Sequence, residues 1–236
     1  MLMERGIVIV GNESALLNAI EIEAAKRAGQ YAVAPIANRL LGDSVKLGLR
    51  ARGENTLSAG PSANGRIPLD WNPGSPISAR TLIIAAENHL DHISDAILVC
   101  APPSIRCAAA DLNLTDIEVL MHDHIKGWFF LVKELAIMFK ARGKGTLALV
   151  YSETSGTGGK DDNVDFLGPA ALAAFKSLVR SLLDIALIEP YLTLGFSGID
   201  IGDEAGFAAF VFKQLDDGSR RGNGKLYKYG KLAFFR

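Results

Sequence analysis

His122-Asp123-His124 sets two imidazoles and a carboxylate in one run, groups that can hold a metal or move a proton. On a helix, adjacent residues point about 100° apart, so the two rings diverge. Helical metal pairs use i, i+3 or i, i+4 spacing instead, and no metal site is expected here. Ser152 follows a β-rich run and, beside His124, would make a Ser-His dyad for hydrolysis. No Gly-x-Ser-x-Gly elbow accompanies it, so a satisfied polar contact is the expectation. The run SGTGGKDD (155–162) is glycine-rich with one lysine but lacks the phosphate-loop spacing; a mobile loop is predicted. The two cysteines, Cys100 and Cys107, fit no zinc pattern and are expected to be reduced thiols in or near the core. Trp128-Phe129-Phe130 is expected to serve core and interface.

Elements that position these groups follow from composition and period. The chain has 236 residues, 49% of them apolar, and a net charge of −1. Such a balance predicts one globular domain spanning 1–236 and gives no charge excess to attract nucleic acid or a membrane. The opening MLMERGIVIVGN contains too short an apolar run for a signal peptide, and no stretch reaches the ~20 apolar residues of a membrane span. The expected location is the cytoplasm.

Short β-rich runs alternate with helical patterns. The strands are GIVIVG (6–11), YAVAPIA (31–37), RIPLDW (66–71), AILVCA (96–101), TLALVYSE (146–153), LTLGFSGIDIG (192–202) and KLYKYG (225–230). Helical periods cover 13–29, 77–90, 115–143, 165–188 and 204–217. Continuously apolar strands such as GIVIV and AILVCA must be covered on both faces. The alternation predicts an α/β fold: a Rossmann-like, doubly wound, mainly parallel seven-stranded sheet with helices on both faces. Asn12 or Ser14 is placed to cap the first helix, Gly29 to end it, and Thr115 with Glu118 to form a capping box. The segment 42–66, ending in RARGENTLSAGPSANGR (50–66), is predicted to be a loop or small hairpin.

The order and spacing of these elements resemble the short-chain dehydrogenase/reductase family over essentially the whole chain. LDHISDAILVCAPPS (90–104) looks like the approach to the family's fourth strand. HIKGWFFLVKELAIMFKARGKGTLALVYS (124–152) looks like its fourth helix and fifth strand, with Gly127 at a customary glycine. AALAAFKSLVRSLL (170–183) looks like the fifth helix. The resemblance implies NAD or NADP as cofactor, carbonyl reduction or alcohol oxidation, and a dimer interface built from helices 115–142 and 165–188.

The family's chemical motifs are degraded. Its Thr-Gly-x-x-x-Gly-x-Gly turn reads Val10-Gly11-Asn12-Glu13-Ser14-Ala15-Leu16-Leu17, so of its glycines only Gly11 is kept. Leu17 adds a branched side chain where close approach is needed, and Glu13 sets a carboxylate beside the phosphates. Like charges about 4 Å apart at an effective dielectric of 20 repel by about 4 kcal/mol. A helix N-terminus returns only ~0.3–1 kcal/mol. Arg39 stands near the ribose-binding place and would serve NADP; Asp70 matches the aspartate that contacts adenine. Pro102-Pro103 replaces the Asn-Asn-Ala-Gly run.

The family's Asn, Ser, Tyr and Lys correspond here to His124, Ser152, Gly168 and Leu172, and no Tyr-x-x-x-Lys occurs in 153–190. After the sixth strand GIDIGDEAGFAAFVF runs almost directly into a helix, with no substrate lid. The expectation is therefore a non-catalytic relative with no cofactor, acting by association as a homo-oligomer or beside an active paralogue. The alternative is an NAD(P)-dependent oxidoreductase with Ser152, His124 or Tyr151 as acid. A sensor of a small ligand in the remnant cleft is the third.

Overall fold

The structure is a computed structural model that describes residues 5–36, 65–153, 164–199 and 202–230. Seven strands form the central sheet: β1 Ile7–Asn12, β2 Tyr31–Ile36, β3 Arg66–Pro68, β4 Asp95–Cys100, β5 Thr146–Glu153, β6 Leu192–Ile199 and β7 Leu226–Tyr229. Their order is β3-β2-β1-β4-β5-β6-β7, and every adjacent pair is parallel. The expected doubly wound sheet is thus present, with KLYKYG as its last strand.

Continuous apolarity in the strands has a plain cause. Successive side chains alternate between faces, and both faces are covered. Val8, Val10, Leu98, Leu149 and Tyr151 join a core with helices α2 (Pro76–Leu90), α4 (Gly127–Arg142) and α5 (Leu167–Ile185). Ile7, Ile9, Val99, Val150 and Phe196 join a second core with α1 (Ala15–Ala25) and α6 (Glu204–Asp217). The apolar–polar alternation of β7 is explained by rings: Tyr227 stacks on Phe196 at 5.5 Å and Tyr229 on Phe207 at 5.3 Å.

Several boundaries differ from the sequence expectation. The third strand is only three residues long, stopping before Leu69. Helix α1 ends at Ala25, short of Gly29, and its cap is Ser14, whose Oγ accepts from Leu17 N at 3.1 Å. The helix expected from 115 opens at Leu114 under Asn113, whose Oδ1 accepts from Thr115 N at 2.8 Å, in place of the Thr115 capping box. It runs as α3 (Leu114–Val119), passes through a π-helical stretch, Leu120–Lys126, and continues as α4. A two-residue antiparallel ribbon, Arg106–Cys107 against Val164–Asp165, was not expected. Arg39, residues 42–64 of the expected loop and the whole of SGTGGKDD (155–162) lie outside the described residues. Among the described residues, no helix is long and apolar enough to cross a membrane.

Candidate functional site

In an open parallel sheet, ligands bind beyond the carboxyl ends of the strands where the winding reverses. Here that point lies between β1 and β4, and a polar cluster fills it. Asn12, buried at the end of β1, accepts from Ala101 N at 3.0 Å through Oδ1. Its Nδ2 lies 2.8 Å from His124 Nδ1. Because a backbone N–H can only donate, Ala101 fixes the amide's orientation; Nδ2 then donates, and His124 Nδ1 must accept. The ring is therefore the neutral Nε2–H tautomer.

His124 reaches Asn12 from the π-helical stretch. Such stretches hold side chains at angles an α-helix does not provide. Asp116 and Asp123 are buried in the same region, each engaged in the fold. His122 turns away to the surface, its Nδ1 2.8 Å from Glu118 O. Among the described residues, no three His, Cys, Asp or Glu side chains are grouped to hold a metal.

The β1–α1 turn is built for packing. A Cβ on Gly11 would stand 2.6 Å from Val99 O and 3.1 Å from Leu17 Cδ1, so the glycine is required by the neighbouring strand and helix. Leu17 is 2% exposed and points into the core beneath the turn, rather than at the space a ligand would use. Glu13 is exposed. Asp70 is exposed two residues beyond β3.

Gly168 lies in the first turn of α5 and is buried. Asp165 Oδ1 accepts from Leu167 N at 3.1 Å and from Gly168 N at 2.9 Å, capping the helix. A Cβ on Gly168 would meet Asp165 Oδ2 at 2.6 Å and Pro103 O at 3.1 Å. The nearest obstacle to a side chain at 168 is thus the Asp165 carboxylate, with the loop after β4 making a tight second contact. Leu172, one turn on, is half-buried against the α2/α4/α5 core. Ser152 is half-buried near the end of β5, opposite Gly198. Only four residues, 200–203, separate β6 from α6, and Asp203 Oδ1 caps that helix by accepting from Gly206 N at 2.8 Å.

Tyr151 and Lys176 form a neighbourhood that residue types alone did not announce. Lys176 Nζ lies 6.0 Å from the centre of the Tyr151 ring but bonds Glu153 Oε2 at 2.8 Å. Burial pushes the Tyr151 hydroxyl above its ordinary range, against a weaker opposing effect of its hydrogen bond with Ser197. A faint signal existed: Lys176 lies one helical turn beyond Leu172. Asn12 and Asp165 had no comparable signal.

No protein-family model matches the chain, and no curated protein does. Solved structures do. A short chain dehydrogenase from Bacillus anthracis superposes with TM-score 0.72 at 12% identity, covering 97% of this chain and 96% of that one. A short-chain type dehydrogenase/reductase from Mycobacterium marinum gives 0.71 at 13%, covering 95% and 92%. An NADH-dependent reductase solved with NAD gives 0.67 at 14%, covering 97% and 95%. The fold of this chain is that of the short-chain dehydrogenases and reductases.

Proposed function

We propose that this chain is a non-catalytic member of the short-chain dehydrogenase/reductase family that acts by associating with another chain. The observation that supports this most is the crowding at Gly168. On the family's pattern that position holds the proton-transferring tyrosine, and Leu172 stands where its lysine belongs. General acid–base catalysis typically contributes ~10²–10⁴-fold. A glycine between Asp165 and Pro103 supplies no proton, and a side chain in its place would first have to displace the Asp165 carboxylate.

The residues present do not fit a dinucleotide diphosphate at the β1–α1 turn. One leading amide of α1 is already taken by Ser14 Oγ, and Glu13 brings a carboxylate beside the turn. Asn12 and His124 bond each other at the point between β1 and β4 that the cofactor would cross. No chemical step through a nicotinamide is derived from this arrangement.

Association is supported by apolar exposure on the helices of one face. Phe129 and Ile137 of α4 are 51% and 55% exposed, and Leu187 and Ile188, just beyond α5, are 79% and 82% exposed. Side chains of this size left in water mark contact surfaces when they share a face. The test is a panel of ketones, aldehydes and acyl thioesters with NADH and NADPH, run beside a measurement of solution mass. No turnover, with a mass above that of the 25.2 kDa monomer or a co-purifying partner, is expected. Turnover that disappears in Ser152→Ala would overturn the proposal.

A second reading is an NAD(P)-dependent oxidoreductase with Tyr151 as acid. It is favoured by the nearness of Lys176 and opposed by the raised Tyr151 hydroxyl and the Lys176–Glu153 pair.

A further inference from the structure

Between α3 and α4 the chain is wound as a π-helix over Leu120–Lys126, and Gly127 N donates to His122 O, five residues back instead of four. A stretch bonded in this way carries one residue that α winding has no place for. Closing it to α geometry pushes that residue out at one end, which turns the flank by about 100° and slides it by about 1.5 Å. The two flanks are unequal. Helix α4 is fixed by the buried Leu131, Leu135 and Phe139, and by Gly127, where a Cβ would stand 2.7 Å from Pro73 Cβ. Helix α3 has six residues and buries only Asp116, with Ile117 leaning on a small cluster of Leu120, Leu167 and Ala171. The flank that yields is α3.

Its sequence carries two start signals, two residues apart. Asn113 caps the observed helix, its Oδ1 accepting from Thr115 N at 2.8 Å. Thr115 with Glu118 has the spacing of a capping box, yet both residues are exposed and neither caps the helix in this structure. The observed winding is held from the other side by Asn12, which His124 meets from within the π stretch.

We propose that the π stretch is a one-residue register switch, with α3 either in the observed position or advanced by one residue toward its amino end. In the second register the stretch is α-helical, His124 leaves Asn12, and Thr115 caps the helix in place of Asn113. Ile117 then stands where Asp116 stood. Asp116 lines a cavity of about 460 Å³ together with Arg106, Cys107, Asn113 and Leu167. The switch thus exchanges a carboxylate in that wall for an apolar side chain, and a molecule entering the cavity shifts the population toward the register whose wall it matches. The device depends neither on catalysis nor on association with another chain.

Helix register shifts run on the microsecond-to-millisecond scale, which relaxation dispersion of the amide and carbon resonances reads directly. Exchange is expected across 114–126 and not in the core-facing residues of α4. Asn12→Ala should raise the minor population, and Asn113→Ala, which removes the first cap, should raise it about fivefold. The minor state's carbon shifts are expected to be helical through 120–126. Deleting Met121, an exposed residue of the stretch, removes the surplus residue and should abolish the exchange, with circular dichroism checking that the variant folds. If it does not fold, the carbon shifts decide. No exchange in the double variant Asn12→Ala with Asn113→Ala would overturn the proposal. So would random-coil shifts in the minor state, which mean local unfolding, or exchange that survives in a folded Met121 deletion.

Discussion

Asn12 and His124, 112 positions apart in sequence, meet side chain to side chain at 2.8 Å across the point where the sheet reverses its winding. The pair ties the end of β1 to the π-helical stretch, while Asn12 also holds the backbone of β4's exit at Ala101. Both bonds lie at the strand ends where ligands of such sheets bind.

The ring state follows from that geometry. Long-range nitrogen–proton correlation spectra should show His124 as the neutral Nε2–H tautomer near neutral pH. Asn12→Asp replaces the donor with an acceptor and should move the ring proton to Nδ1. Asn12→Ala leaves Ala101 N–H without its acceptor and should cost about 1–3 kcal/mol in urea unfolding. An Nδ1–H ring in the wild type would show that the pair is arranged differently.

Gly168 is expected to accept a side chain only at a cost. Gly168→Ala forces Asp165 or the Pro103 carbonyl to move and should destabilise by about 1–3 kcal/mol. Gly168→Tyr with Leu172→Lys should destabilise further and restore no turnover. A double variant as stable as wild type, measured by thermal melting, would show that the first turn of α5 has room for catalytic side chains.

At the opposite, amino ends of the central strands, Arg5 bonds Asp95 at 2.7 Å and also Asp216, while Arg27 bonds Asp216 at 2.8 Å and Glu23 at 2.5 Å. Burial opposes ionisation of Asp216, but the bonds from Arg27 and Arg5 outweigh it and hold its carboxyl below the ordinary range. Glu23 is held low chiefly by Lys26, with Arg27 reinforcing and burial opposing. Depressed carboxyls stabilise the fold above their unfolded values, near pH 4, and lose that contribution as pH falls through the lower folded values. Because the Asp216 side chain is 42% exposed, its share is discounted to less than about 1 kcal/mol. Melting of Asp216→Asn should therefore show a shallower loss of stability than wild type below about pH 4. Parallel curves would contradict the pairing.

Leu17 shows where sequence reasoning stopped. Its identity signalled a departure from the glycine turn, but only the fold shows the side chain directed beneath the turn, against Gly11. Leu17→Gly would therefore open a core cavity rather than a phosphate site, and should cost about 2–5 kcal/mol, like other large-to-small core changes. Chemical unfolding measures it; a neutral change would show that the side chain faces solvent.

The strands were legible because two covered faces demand unbroken apolar runs, as in Ile7–Val10 and Ala96–Cys100. The π stretch was not, since π and α segments share side-chain types and differ only by one residue in the span of each hydrogen bond. The contacts that define the site were hidden for a different reason. Asn12 with His124, and Gly168 with Pro103, join residues far apart in sequence, and no local period announces such pairings. Gly168 and Leu172 could be named from the family pattern, whereas the loop that crowds Gly168 appeared only with the fold.

The chain is proposed to hold no nicotinamide dinucleotide. Isothermal titration of the purified chain with NADH and with NADPH tests it most directly. No binding tighter than about millimolar, equivalent to ~4 kcal/mol, is the result expected for both. Micromolar affinity for either, abolished when Gly11 is changed, would contradict the claim.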